Sequence, residues 1–294
     1  MLNFTMLAQQ FYNTLTAEVI GNVLGLRDTQ YQELRRYYHA LVNNPRRRSF
    51  YRYSWVRRTA PMVRLLMLLP KRNVPWRVLD AGCGVGTESI FWSTLRDDIE
   101  VTGVDINVER LNTAKARQTA YENRLRKPLN MRFLEQDVFS VLSVEHFDLV
   151  WVMEAISHID PAESFLTSVS ENLGSAGYLV ISDSHVLNPT MAWRTYKLRQ
   201  RGIATYTYRP TSTGETISYA RERLFTVGRL SKMLKWAGFQ SVQTQLGIFF
   251  PPPLAYFSLL FKFCIKCDYV LNGVPLLRNL GGIYTVVASK KGIL

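Results

Sequence analysis

The spacing of hydrophobic positions changes twice along the chain. Over residues 6–42 apolar and aromatic side chains recur at helical intervals (Leu7, Phe11, Leu15, Val19, Val23, then Tyr31, Leu34, Tyr38, Leu41), with a break at 25–29, which predicts two helices. Asn43, Asn44 and Pro45 end them. A basic and aromatic stretch follows at 46–58, and an apolar helix is predicted over 60–69 before Pro70. From Trp76 the pattern becomes short apolar or β-branched runs at 77–79, 100–104, 131–134, 147–152 and 178–182. Amphipathic segments at 87–95, 108–125 and 161–173 separate them, the pattern of βαβ units on a parallel sheet. Residues 188–223 are polar, basic and aromatic and break the alternation, so they are expected to form an insertion over a site. A helix at 227–236 closed by Gly238, a strand at 241–246, an apolar helical excursion at 251–270 and a strand at 283–288 complete the pattern.

Four segments result: an N-terminal helical extension or lid at 1–70, a ligand-binding core at 71–187, the insertion at 188–223, and the rest of the core sheet with its excursion at 224–294. With 294 residues, 47% hydrophobic and 20% charged, the chain has material for a sizeable core, which excludes a disordered or coiled-coil protein. The formal charge is +13, and residues 31–72 alone hold eleven Arg or Lys against the single acid Glu33, which suggests an anionic partner.

Three cysteines, Cys83, Cys264 and Cys267, are too few and odd in number for a secreted disulfide scaffold and fit a reducing cytoplasm. Cys264 and Cys267 form a CxxC without a second pair. The histidines at 39, 146, 158 and 185 do not fall at zinc-site spacing, so no metal is predicted. The longest apolar run, 246–261, is short of the roughly 20 residues of a spanning helix and contains three prolines. The first 25 residues show no basic start before an apolar stretch, which argues against a signal peptide.

The string Val78-Leu79-Asp80-Ala81-Gly82-Cys83-Gly84-Val85-Gly86-Thr87-Glu88 runs a buried strand into three alternating glycines and then a helix. Glycine permits a sharp turn and lets a ligand approach main chain where a Cβ would clash, so a small-molecule crevice is expected there. The spacing departs from G-x-G-x-x-G, and Asp80 would repel a pyrophosphate but attract an ammonium. Asp105, at the end of the second strand, stands where a carboxylate holds two ribose hydroxyls. Asp137, after the third strand, is placed to accept from an adenine amino group, with Val138 beside it. Ile106 and Met153 complete the expected contacts. Cys83 contributes backbone there rather than a nucleophile.

In this order VLDAGCGVGTE, VTGVDINVERL, EQDVF, FDLVWVMEAISHIDP and GYLVISD resemble the successive motifs of class I S-adenosylmethionine-dependent methyltransferases. The resemblance spans 76–183, and FTVGRLSKMLKWAGF with GGIYTVVASKK extends it to the C-terminus. It implies an α/β, Rossmann-like, seven-stranded, mostly parallel sheet with helices on both faces and an antiparallel last strand. The N-terminal helices and an inserted cap would be additions to it. S-adenosylmethionine would lie over the carboxyl ends of the first strands, contacting Asp80, Gly82, Cys83, Gly84, Gly86, Asp105, Ile106, Asp137, Val138 and Met153.

The stretch from Met153 to Pro161 is similar to one in quinone-biosynthesis small-molecule methyltransferases, some of which bind a divalent metal through two Glu and a His. Here Ser157 replaces the second Glu and removes a ligand. The same stretch lacks the Asn/Asp-Pro-Pro-aromatic turn of exocyclic base methyltransferases and the cysteine of C5 pyrimidine enzymes, which argues against a nucleic-acid acceptor. RNA methylation driven by the arginines is the reading left for that class.

His158 and Glu154 are the expected catalytic groups, His158 as base toward a phenol or enol, Glu154 as stabiliser of a cation formed on carbon. Tyr37, Tyr51, Tyr53, His185, Trp193 and Phe250 are expected around the acceptor. Aromatic and apolar side chains edged with arginine suit a hydrophobic body with an anionic head. O- or C-methylation of a small-molecule or lipid-like acceptor, an isoprenoid diphosphate among them, is expected, and a non-catalytic cofactor-binding module is the alternative of another class. The apolar stretch at 249–261 with Lys262 and Lys266 has the composition of a segment resting on an anionic membrane surface, or of ordinary core. Cytoplasmic residence, peripheral at the inner membrane face, goes with the former.

Overall fold

In the computed structural model the described residues are 4–174, 176–200, 206–210, 216–220 and 223–290. The N-terminal segment forms α1 (Phe4–Gly21), α2 (Asp28–Tyr37), α3 (His39–Asn43) and α4 (Arg48–Leu68). The alternating segment follows as β1 (Trp76–Ala81), α5 (Thr87–Leu95), β2 (Ile99–Asp105), α6 (Val108–Leu125), β3 (Met131–Glu135), α7 (Val138–Val144), β4 (Leu149–Met153), α8 (Ala162–Asn172) and β5 (Tyr178–Ser184). Then come α9 (Pro189–Gln200), the hairpin β6 (Tyr206–Pro210) and β7 (Thr216–Ala220), α10 (Val227–Trp236), β8 (Ser241–Gly247), α11 (Ser258–Gly273) and β9 (Ile283–Ser289).

Seven strands pair in the order β3-β2-β1-β4-β5-β9-β8. The pairs among β1 to β5 are parallel, and β9 runs antiparallel to both neighbours. Strand order reverses at β1, so the loops after β1 and β4 diverge and leave a crevice at their carboxyl ends. The seven-stranded Rossmann-like sheet expected from the sequence is therefore the one observed. Val78, Phe91, Trp92 and Trp151 on one face pack with Leu15, Trp55, Val56 and Met62 of α1 and α4. On the other face Val150 and Leu179 pack with Val141, Phe165, Val169 and Leu234 of α7, α8 and α10.

Three elements differ from the expected ones. The basic-aromatic stretch and the apolar helix after it are one continuous helix, α4, with Pro61 inside it. Proline lacks the N–H that would bond the carbonyl four residues back. That carbonyl, of Arg57, instead accepts from Gln245 Nε2 at 3.3 Å, which satisfies the orphaned group. α7 has only seven residues, too few to show a period. The insertion holds α9 and a two-stranded ladder, while 201–205, 211–215 and 221–222 lie outside the described residues.

A buried polar network ties the N-terminal helices to the core. Arg117 on α6 and Glu18 on α1 have no exposed side-chain surface and pair at 2.9 Å, and the Tyr121 hydroxyl donates to the same carboxylate. Arg117 Nη1 also donates to the Val85 carbonyl at 2.6 Å and to Thr87 Oγ1 at 2.8 Å. Thr87 in turn accepts from the Tyr38 hydroxyl at 2.7 Å. The fixed point of the network is thus the end of the glycine loop. Arg57 is likewise spent internally, 3.3 Å from the buried Asp268, so part of the cationic excess at 31–72 serves the fold rather than a partner.

Candidate active site

β1 ends against β2, where the Val104 carbonyl accepts from Gly82 N at 2.8 Å and Cys83 N at 3.0 Å. Gly84 and Gly86 have φ of +54° and +74°, which an L side chain adopts only under strain. Space forbids a side chain as well. A Cβ at Gly86 would lie 2.5 Å from Phe133 Cζ, and one at Gly84 2.7 Å from the Tyr37 phenol oxygen. The last glycine thus lets α5 close on the sheet, while the middle one is covered by Tyr37 of the N-terminal helices. Cys83 is buried, which pushes its thiol well above its ordinary pKa and leaves it unreactive.

Asp105 accepts from Gly84 N through Oδ2 and from Asn107 N through Oδ1, both at 2.8 Å. These bonds fix the carboxylate between the glycine loop and the start of α6. Each oxygen keeps a further lone pair, enough for two vicinal hydroxyls. Asp80 differs. Its side chain turns beneath the loop, only 2% of the residue is exposed, and Ser89 Oγ donates to it. Burial first, then the charge of Glu88, push its pKa up to about 8. The expectation that both carboxylates face the ligand is corrected on this point: Asp105 reaches the crevice and Asp80 does not.

The crevice opens into a cavity of about 1250 Å³, above the roughly 300–1,000 Å³ of common small-molecule pockets and roomy enough for two reactants. Of the expected donor contacts Gly82, Asp105, Ile106, Asp137, Val138 and Met153 line it; Asp80, Cys83, Gly84 and Gly86 lie behind that wall. Glu154, His158, Tyr37 and Tyr51 line its other parts. Tyr37 packs over the glycine loop at Gly84.

Four expected acceptor residues lie elsewhere. The Tyr53 hydroxyl donates to Asp268 at 2.6 Å, which together with burial raises its pKa. His185 is 1% exposed, with Nδ1 on the Gly281 carbonyl and Nε2 accepting from Val227 N, and burial lowers its pKa. It is a neutral structural histidine. Trp193 is exposed and stacks on Tyr196, and Phe250 is half-buried after β8 but off the cavity wall.

Elsewhere on the cavity wall Glu154 adopts φ +51° just past β4, and its Oε1 lies 2.9 Å from Arg58 Nη2. The Arg58 side chain is only 8% exposed, and its Nη1 has no hydrogen-bond partner. Asp183, at the end of β5, accepts from Ser157 N at 3.3 Å and Ser184 N at 2.6 Å. Burial, then the Glu154 charge, raise its pKa. His158 is held by its own N–H on the Ala155 carbonyl at 2.8 Å. Arg58 and Asp183 carry site charge that the sequence reading did not assign. A signal for Arg58 exists, since Tyr51, Ser54, Trp55 and Arg58 share one face of α4 at spacings of three and four, and all four line the cavity.

A family profile described as a methyltransferase domain matches residues 74–222, just over half the chain. The chain belongs to that family. The class I S-adenosylmethionine-dependent class and its cofactor, expected from the motifs, stand. Among characterised proteins it is 28% identical over 116 residues to (S)-coclaurine N-methyltransferase of Papaver somniferum, covering 40% of this chain and 31% of that one. It is 31% identical over 120 residues to malonyl-[acyl-carrier protein] O-methyltransferase of Enterobacter lignolyticus, covering 40% and 42%. The matched region thus spans less than half the length of either relative. Among solved structures, a possible histamine N-methyltransferase of Thermotoga maritima superposes with TM-score 0.48 at 18% identity, over 83% of this chain and 95% of that one.

Proposed function

We propose that the protein transfers a methyl group from S-adenosylmethionine to a hydrophobic small-molecule or lipid-like acceptor carrying an anionic group, at oxygen or carbon. The observation that carries this reading is that one cavity is lined both by Asp105 and by the buried Arg58 with its exposed partner Glu154. Segment 1–70 acts as lid, 71–187 as donor-binding core, 188–223 as cap and 224–294 as the rest of the sheet. The sulfonium supplies a methyl carbon for in-line displacement, and the protein supplies position and a proton acceptor.

Asp105 anchors the ribose hydroxyls, and Asp137 with Val138 borders the adenine. Ile106 and Met153 contribute wall. His158 takes the proton of an acceptor hydroxyl or enol as the new bond forms. Arg58 attracts the acceptor's anionic group, and its pairing with Glu154 leaves that carboxylate less available to stabilise a cation. That favours methylation of oxygen over methylation of an alkene carbon. Its relatives' names include both O- and N-methyltransferases, which supports a small-molecule acceptor without choosing one. Residence in the cytoplasm and contact with a membrane belong to the same reading. Among the described residues no helix is long and apolar enough to cross a membrane.

The test is incubation of the protein with extract of its own cells and isotopically labelled methyl donor. A small molecule soluble in organic solvent should gain about 14 mass units plus the extra mass of the isotope, as the labelled methyl replaces H. Label entering RNA, or no labelled product from a protein that binds the donor tightly, contradicts the proposal.

A further inference from the structure

Large apolar side chains are exposed at many points of the surface, but not evenly. Of the 24 that stand exposed among the described residues, eleven fall within residues 256–280. Phe257, Leu259 and Phe263 are 64%, 80% and 63% exposed, and Val270, Leu276 and Leu277 are 68%, 85% and 42% exposed. Scattered apolar residues need no explanation, but a concentration of this kind marks an interaction surface.

The orientation of α11 makes the concentration a face. Phe261, Cys264 and Asp268 are its buried residues, and Phe261 packs on Phe50 and Tyr53. Asp268 is fixed from the inside by Tyr53 and Arg57. Outward stand Leu259, Phe263, Lys266 and Val270, at the three- and four-residue steps that align along one side of a helix. Short 3-10 turns, 252–256 before α11 and 277–280 after it, pack against the helix and add Tyr256, Leu277 and Leu280.

Charge on this face has one sign. Between residues 248 and 282 the cations are Lys262, Lys266 and Arg278, all exposed, and the only acid is the buried Asp268. Apolar side chains mixed with cations are the composition of an element that lies in a lipid interface, its apolar groups among the acyl chains and its cations on headgroups. A second copy of this chain is a poorer occupant, because a self-facing pair would set cations against cations.

We infer that the outward face of α11 and its flanking turns docks on an anionic phospholipid surface. This goes beyond methyl transfer and does not depend on which acceptor is used. The test is sedimentation of the full chain with vesicles of phosphatidylcholine alone or mixed with phosphatidylglycerol. Binding should be more than tenfold stronger to the mixed vesicles and should weaken in high salt. Replacing Lys262→Gln and Lys266→Gln together should weaken it about thirtyfold, at about 1 kcal/mol per cation. Leu259→Ser with Phe263→Ser should abolish binding to both vesicle types. All four positions are exposed, so each variant should keep the wild-type unfolding midpoint and affinity for S-adenosylhomocysteine, and the vesicle result can be read independently of methyl transfer. Equal binding to both vesicle types, no binding by a protein that still takes up S-adenosylhomocysteine, or a dimer that Leu259→Ser and Phe263→Ser dissolve without any vesicle binding would each overturn the inference.

Discussion

At the proposed donor end of the cavity the main chain shapes most of the wall. Glycine φ values, the Val104 carbonyl and two amides on Asp105 shape the wall, and all come from β1, β2 and the residues next to them. At the proposed acceptor end side chains from distant segments meet. Arg58 comes from α4, Glu154 and His158 from the loop after β4, and Asp183 from the end of β5. A backbone-built wall leaves little room for side-chain change, as the Cβ clashes at Gly84 and Gly86 show. A wall of side chains on separate elements can vary its chemistry while the donor site stays fixed.

The comparison can be broken at the joint between the two ends. Arg117→Met should cost about 3–5 kcal/mol in urea unfolding, because Glu18 would be left charged and unpaired in the interior. Glu18→Gln combined with Arg117→Met should recover part of that loss. If the single substitution is neutral, the N-terminal helices are not held to the core in the way described.

Gly86→Ala should cost about 2–4 kcal/mol, combining a strained φ with overpacking against Phe133 and Ala114. Arg58→Gln sharpens the comparison from the other side. It should lower kcat/KM for an anionic acceptor by about a hundredfold while leaving the affinity for S-adenosylhomocysteine within a factor of two, as expected for loss of a charged contact to the acceptor alone. A matching loss of donor affinity would mean the two ends are not separable.

Asp80 gives the most gradual effect. Its carboxyl keeps a proton in the folded protein where the unfolded chain has lost it, since burial raises its pKa from 3.8 to about 8. Stability contributed through this group therefore falls as pH rises between those two values. Asp80→Asn should flatten the decline by on the order of 1 kcal/mol per pH unit between pH 5 and 8 in parallel unfolding curves. Identical slopes would place Asp80 in contact with solvent or ligand.

The same contrast decides what could be read from the chain. The glycine loop and Asp105 were legible because local backbone demands fix residue types at fixed offsets, and the βα alternation was legible because burial on a parallel sheet imposes its own period. The acceptor wall was not. Tyr51 and Tyr53 look alike in sequence, yet one faces the cavity and the other bonds Asp268, 215 residues away. Arg57 and Arg58 are adjacent and both buried, one tied to Asp268 and the other to Glu154. Such partners are set by tertiary packing, and a single sequence carries no record of them. His185 had the chemistry of a base, but its two ring nitrogens are taken by main-chain groups.

Calorimetric titration of S-adenosylhomocysteine into the wild type and Asp105→Ala tests the central claim, that the carboxylate closing β2 holds the nucleoside. The account predicts a loss of more than tenfold in affinity, about 1.4 kcal/mol or more, with the variant still folded. Equal affinities would contradict it.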